Sequence, residues 1–381
     1  MTIKKLFTLV IALLILPPSM LSWTFGHRGL LSGWSLINFQ EASKPRLGLR
    51  YIPEFSLASQ LSESIMLDSE LSGHAFGTGI FEEIDSVQTD GDIKPYRLWL
   101  RLSSSQFEAR IGLQRINFGS ATLLRPLMWF DSVDPRDPLK LTDGVYGLLL
   151  RYYFVNNTNI WLWGLYGNEK TKGWEAIPTQ EDSVEYGGRL QIPLFTGEMA
   201  MTYHHRRADI GKSSVIILPS GTHISPENRY ALDGKWDIGI GIWFEAAWVH
   251  QQNDLLSAPW QRALNVGLDY TFDIGNGLNI LGEHFSLAIT QEAFGSGKDI
   301  NFSAIFLRYP LGLLDEITGI FYYDWENNEF YRFLSWQRTY DKWRFNVIGF
   351  WNPEDFRIYP TPSRDNPFAG KGFQVMIIFN Y

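Results

Sequence analysis

The chain of 381 residues contains no cysteine, which excludes disulfide bonds and thiolate metal sites. Charged residues make up only 19 %, and the formal net charge of −8 gives no support to nucleic-acid binding. Mean hydropathy is −0.13, well below that of a bundle of membrane helices. Aromatic residues, in contrast, make up 15 % of the chain. This combination fits a transmembrane β-barrel, whose strands conceal an apolar face by alternation, and equally a soluble all-β protein.

Beyond its first residues the sequence lacks a long apolar run. Two lysines precede an apolar stretch from Leu6 to Leu16, and two prolines follow it. This stretch is shorter than the ~20 residues of a spanning helix. Its layout is that of a secretory signal peptide, which favours the membrane barrel. We expect cleavage near Ser22, so that residues 1–22 form the leader and residues 23–381 a single outer-membrane β-barrel domain.

Alternation of apolar and polar residues recurs along nearly the whole mature chain. In "RALNVGLDYTF", residues 262–272, five large apolar side chains fall on one face and Asn265 and Asp269 on the other. Such runs are about ten residues long, which is the length a tilted strand needs to cross a bilayer. We predict eighteen antiparallel strands, or sixteen if the weakest pair is absent. They are placed at 29–40, 46–57, 61–72, 95–103, 106–117, 145–155, 159–168, 184–193, 198–207, 228–237, 240–251, 262–272, 278–289, 300–309, 315–325, 329–338, 342–351 and 372–381.

The predicted connections tend to alternate in length. The short ones are residues 104–105, 156–158, 194–197, 273–277 and 339–341. The long ones are residues 73–94, 118–144, 169–183, 208–227 and 352–371. Short periplasmic turns and long extracellular loops are typical of bacterial outer-membrane barrels. An even number of strands then places both termini in the periplasm.

The final stretch, "GKGFQVMIIFNY", is the most specific signal in the chain. Phe373, Phe379 and Tyr381 share one face with the aliphatic residues between them. This strand resembles the C-terminal strand that the barrel-insertion machinery recognises. With the leader and the repeated long strands, the mature chain resembles the porin-like bacterial outer-membrane β-barrel superfamily. Residues 112–138 also resemble a strand-and-loop element of alginate-export-like barrels.

The resemblance carries several expectations. It implies an outer-membrane location in a bacterium, contact with lipid and the insertion machinery, and passage of small polar solutes. Association of identical chains, as in porin trimers, is an expectation of the family. No cofactor is implied.

A basic strip is predicted on the inner face of the barrel. With Ser104 and Ser105 as a two-residue turn, Arg101 would pair with Glu108 and the remaining polar residues would also point inward. The predicted strip consists of Arg97, Arg101, Glu108, Arg110 and, on the next strand, Arg151. It would favour anionic or polyhydroxylated solutes. Alternatively, it is an ion-pair network that braces the wall, and both interpretations can hold together.

The long connection 118–144 holds "LLRPLMWF", which is too apolar for a segment surrounded by water. We expect it to fold into the lumen and narrow it. Its charges would then face the wall arginines across a constriction; they are Arg125, Asp131, Asp134, Arg136, Asp137 and Asp143. The alternatives are an extracellular cap held by Asp-Pro turns, or a surface that binds a partner.

Catalytic and metal motifs are not found in the sequence. There is no G-x-S-x-G elbow and no H-E-x-x-H, and His204 and His205 point to opposite faces of one strand. The first hypothesis is a porin-like channel for passive or selective diffusion of small polar or anionic solutes. The second is a non-conducting barrel scaffold, or a partner-binding component of an envelope export or electron-transfer complex. The third is an outer-membrane barrel hydrolase.

Overall fold

The protein forms one closed antiparallel β-barrel of eighteen strands in a computed structural model. The structure describes residues 22–39, 45–83, 86–212, 224–253, 256–354, 358 and 367–381. Each strand pairs with its neighbours in the sequence, and β1 closes the ring by pairing with both β2 and β18. The predicted all-β barrel of about eighteen strands is therefore confirmed. The predicted leader, residues 1–22, lies almost entirely outside the described residues.

The strands are β1 Trp23–Asn38, β2 Arg46–Ser62, β3 Ile65–Glu83, β4 Ser86–Ser103, β5 Phe107–Gln114, β6 Val145–Tyr153, β7 Asn159–Tyr166, β8 Val184–Leu194, β9 Gly197–Asp209, β10 Ile224–Asp237, β11 Gly241–Gln251, β12 Trp260–Phe272, β13 Leu278–Thr290, β14 Lys298–Pro310, β15 Asp315–Asp324, β16 Glu329–Thr339, β17 Trp343–Trp351 and β18 Lys371–Asn380. A short 3-10 turn, Ile210–Lys212, follows β9. Across the described residues, no helix has the length and apolar character to cross a membrane.

Alternation decides which face of each strand points out of the barrel. On β12, Val266 and Leu268 are 57 % and 53 % exposed on the outer face, whereas Asn265 is 1 % exposed on the inner face. An outward apolar band with an inward polar and small-residue face is what a membrane barrel requires.

The prediction of a long loop at residues 73–94 is wrong. β3 and β4 continue through this region, and their pairing reaches Phe81 opposite Val87. The register shifts where Pro95 meets Gly73, because proline has no N–H to donate to the ladder. The glycines and aspartates that suggested a loop lie in a paired hairpin instead.

The predicted register of the β4–β5 hairpin is also corrected. Arg101 lies opposite Arg110, not Glu108, and Ser103 lies opposite Glu108. The turn is displaced by one residue, because the amide of Ser104 donates to the carbonyl of Phe107 at 2.7 Å. A shift of two residues in pairing leaves every side chain on its predicted face.

Candidate functional site: the lumen and its inward loop

Residues 115–144, here called the inward loop, fold into the barrel after β5 ends. Their apolar side chains form one cluster with inward residues of β11 to β17, including Phe285 and Tyr322, both fully buried. The buried loop members are Ile116, Phe118, Ala121, Leu123, Leu124, Leu127, Trp129 and Phe130. Burial of each large side chain contributes roughly 1.5–3 kcal/mol, so the lumen here is a packed core.

Two carboxylates on the far wall hold the backbone of the inward loop. Glu283 on β13 accepts from the amides of residues 122, 123 and 124 at 2.6, 3.0 and 2.7 Å. Glu245 on β11 accepts from the amides of Ala121 at 2.7 Å and Leu127 at 3.3 Å. These bonds satisfy backbone donors that the loop would otherwise bury without partners.

The strand between these carboxylates contributes a third polar anchor. Asn265 on β12 donates to the carbonyl of Leu124 at 2.8 Å. Gly119 fits the approach to Glu245, since its φ is +93° and an added Cβ would lie 2.3 Å from a carboxylate oxygen. Residue 119 therefore has to be glycine for the loop to reach this wall.

The charges of the inward loop are mostly paired within the loop. The guanidinium of Arg125 donates to both oxygens of Asp131, at 2.8 and 3.0 Å, and Arg136 pairs with Asp134 at 2.6 Å. The Asp137 carboxylate accepts from the amide of Leu139 at 3.0 Å, and its burial raises the pKa of Asp137.

Contacts between this loop and the wall differ from the predicted constriction. Arg97 donates to the backbone carbonyl of Thr142 at 3.0 Å, and Lys94 binds Asp143 at 2.7 Å. The predicted meeting of loop aspartates with the wall arginines is thus replaced by local pairs. A guanidinium two to six residues away costs less chain entropy to reach than one across the lumen.

The predicted basic strip surrounds a single carboxylate. Glu108 lies 3.0 Å from Arg110, 3.6 Å from Arg151 and 3.8 Å from Arg101. Arg101 also donates to Asp68 on β3 at 2.8 Å. The three arginines therefore face two carboxylates, Glu108 and Asp68, which leaves one positive charge in excess.

Aromatic rings of the same wall orient these arginines. Arg151 lies 3.8 Å above the ring of Trp161, and Arg110 lies 4.8 Å from the ring of Trp99. Such contacts hold guanidinium groups in place without cancelling their charge.

Open space remains between this wall and β1 to β3. A cavity of about 460 Å³ is lined by Arg101 and Arg110 on one side and by carboxylates of β2 and β3 on the other. The carboxylates are Glu54, Asp68 and Glu70. A second cavity, of about 510 Å³, shares Arg28 and Glu54 with the first. We call these two cavities the charged passage.

A second buried ionic network was not predicted from the sequence. Arg206 on β9 donates to Glu227 on β10 at 2.5 and 3.0 Å, and Arg229 pairs with Glu227 at 2.6 Å. Glu175, from the connection between β7 and β8, pairs with Arg229 at 2.6 Å. Alternation placed Arg206 and Arg229 on inward faces, but the loop partner could not be found from spacing.

The adjacent histidines of β9 point to opposite faces of the strand. His204 is fully buried and accepts from Trp163 Nε1 at 3.2 Å, whereas His205 contacts Asn228 on the opposite face. No group of three histidine, aspartate or glutamate side chains among the described residues could hold a metal ion.

The aromatic residues of the last strand lie along its outer face. Phe373 is 37 % exposed, Phe379 packs 4.6 Å from Trp343, and Tyr381 shares a hydrogen bond of 2.9 Å with Tyr51. They thus join β18 to both of its neighbours, β17 and the β1–β2 wall.

No protein-family model matches the sequence, and no curated protein matches it. Solved structures do match. The chain is similar to an anion-selective porin from Comamonas acidovorans, with a TM-score of 0.52 and 11 % identity over 94 % of this chain and 100 % of that one. It is similar to OmpT, an outer membrane protein of Vibrio cholerae, with a TM-score of 0.52 and 12 % identity over 94 % and 100 %. It is also similar to OccK7 (OpdD) of Pseudomonas aeruginosa, with a TM-score of 0.53 and 10 % identity over 95 % and 99 %.

At identities of 10 to 12 %, the similarity to these structures establishes the fold alone. The chain has the porin-like outer-membrane β-barrel fold, as the sequence pattern predicted.

Proposed function

We propose that this protein is a porin-like channel of a bacterial outer membrane, through which small polar or anionic solutes diffuse. The charged passage carries the proposal. It lies beside the inward loop rather than within the apolar core, and it is lined by arginines and carboxylates that interact well with hydrated solutes. The inward loop narrows the barrel to this passage, and both termini face the periplasm.

The basic strip gives the passage a mild preference for anions. Arg101, Arg110 and Arg151 have two carboxylates between them, Glu108 and Asp68, whereas Glu54 is already paired with Arg28. Excess positive charge on a narrow wall raises the local concentration of anions. Catalysis has no part in this proposal, since conduction needs only the shape and the charges of the lumen.

A second candidate function is a non-conducting scaffold. It is favoured by the extent of the buried apolar cluster, which spans from the inward loop to β17. A barrel filled in this way could serve an envelope complex without passing solutes.

Single-channel recording in planar bilayers distinguishes these two functions. We expect small, stable openings from the full chain and larger ones after deletion of residues 121–138, which contain most of the buried apolar side chains of the loop. Glu245→Ala with Glu283→Ala serves as a second loop-releasing variant if the deletion does not fold. Folded protein that inserts but stays silent in all three forms would overturn the channel and favour the scaffold.

A further inference from the structure

A separate cavity of about 510 Å³ lies on the opposite side of the lumen from the charged passage, and the two share no lining residue. It is enclosed by the inward loop, by residues 172–177 and 256–259, and by the walls of β9 to β13. Its volume is within the range of small-molecule sites. The lining is mainly apolar and includes Met128, Trp129, Trp174, Ile177, Val249, Leu256, Trp260 and Ile289.

Two tryptophans, Trp129 and Trp174, give this cavity flat, fixed walls. Trp174 stacks on Phe285 at 4.6 Å and its indole N–H donates to the carbonyl of Arg125 at 2.9 Å. Trp129 packs edge-on against Phe118, with 5.8 Å between the ring centroids. Rings that are held in this way lose little entropy when a ligand packs against them, and their flat faces favour a planar aromatic body.

The charged groups of the lining do not balance. Three cations, Lys172, Arg206 and Arg229, face two carboxylates, Glu175 and Glu227. Both arginines are engaged by those carboxylates at 2.5 to 2.6 Å. The ammonium group of Lys172 makes no ion pair with any carboxylate of the described residues. Lys172 is therefore the one cation of this lining with which an anionic ligand could form an ion pair.

We propose that this cavity is a binding site for small amphipathic anions with a planar aromatic body. The body packs between the tryptophans, and the anionic group accepts from the Lys172 ammonium at the edge of the cavity. A charge-assisted contact next to an apolar surface supplies both affinity and orientation. Because the charged passage is elsewhere in the lumen, binding does not require that the barrel conduct.

Equilibrium dialysis against the full chain in lipid nanodiscs tests the proposal, with empty nanodiscs as the background. The probes are the naphthoate anion and its uncharged analogue, naphthalenemethanol. We expect saturable binding of naphthoate at one site per barrel, quenching of tryptophan fluorescence, and clearly weaker binding of the alcohol. The proposal would be overturned if the protein nanodiscs bound no more naphthoate than empty nanodiscs, or if both probes bound with equal affinity.

Two variants locate the site, and a third is the matched control. Lys172→Met should weaken naphthoate about tenfold and leave the alcohol unchanged. Lys170→Met, on an exposed lysine of the same connection, should change neither. Ser257→Trp, at an exposed lining residue, should exclude both probes even if Lys172→Met does not fold. Unaltered naphthoate binding in folded Ser257→Trp would show that the probe binds elsewhere.

Discussion

The guanidinium of Arg189 on β8 donates to both carboxylate oxygens of Asp233 on β10, at 2.6 and 2.8 Å, across the intervening strand β9. Thr202 of β9 accepts a third hydrogen bond from Arg189 at 3.0 Å. The two charged side chains are each 4 % exposed. The pair therefore joins three successive strands from inside the barrel, in a place that water does not reach.

Loss of one partner of this pair should destabilise the barrel strongly. Asp233→Ala leaves a buried guanidinium without its carboxylate, and we expect a loss of ~3–5 kcal/mol in the free energy of unfolding. Urea titration with the heat-modified gel shift measures it. The double variant Arg189→Met with Asp233→Leu should stay near the parent stability, because both charges are removed together. A single variant as stable as the double one would contradict this account.

Removal of the two carboxylate anchors should free the inward loop. Glu245→Ala with Glu283→Ala leaves five backbone amides without acceptors, and a hydrogen bond to a charged group contributes ~1.5–3 kcal/mol. Trp129, which is 5 % exposed in the parent and is followed by Phe130, is a chymotrypsin site. We expect cleavage there to accelerate by at least about tenfold in the variant. Glu316→Ala, which alters a carboxylate away from the loop, is the control and should cleave at the parent rate.

Neutralisation of the basic strip should change the ion preference of the channel. Arg101→Ala with Arg110→Ala leaves Asp68 and Glu108 with fewer cationic neighbours, so the reversal potential in a salt gradient should move towards cations. Lys212→Ala, at an exposed lysine outside the passage, should leave the reversal potential unchanged. An identical potential in the double variant would mean that ions do not pass this strip.

The proposed anion site should weaken at alkaline pH. Burial lowers the pKa of Lys172, with Lys94 and Lys170 adding to the effect and Asp143 and Glu175 opposing it. The ammonium therefore loses its proton below the ordinary lysine pKa of ~10.4, and naphthoate affinity should fall as pH rises towards that value. Dialysis over this range measures it, with naphthalenemethanol as the insensitive reference. Equal pH profiles for the two probes would rule out Lys172 as the anion partner.

The strand framework was predictable because alternation is a local property of the sequence. β12 was predicted at 262–272 and is observed at Trp260–Phe272. Prediction from local composition failed at the hairpin of β3 and β4. Its glycines and aspartates suggested a loop, but the two strands pair through this region. It also failed by one residue at the turn after β4, where two adjacent serines offered no signal for its centre.

The polar anchors of the lumen could not be predicted from spacing. Glu245 and Glu283 are single carboxylates in ordinary strands, and their partners are amides more than a hundred residues away in the chain. The pairing of Glu175 with Arg229 likewise depends on how a long connection folds inward. Such contacts are set by the closed barrel, which brings distant segments into one enclosed volume.

The unequal length of the strands gives the barrel a rim of uneven height. β3 has 19 residues and β5 has 8. Both strands begin at the same end of the barrel, because Met66 near the start of β3 pairs with Ser103, which precedes the turn into β5. At ~3.3 Å per residue and a tilt of ~40°, β3 climbs about 48 Å, whereas the apolar band of a bilayer is ~25 Å tall. From Ser86 to Arg97, β4 pairs with β3 alone. In a membrane this hairpin would extend beyond the headgroups, so that solutes would reach this end of the barrel more easily over the shorter strands β5 to β7.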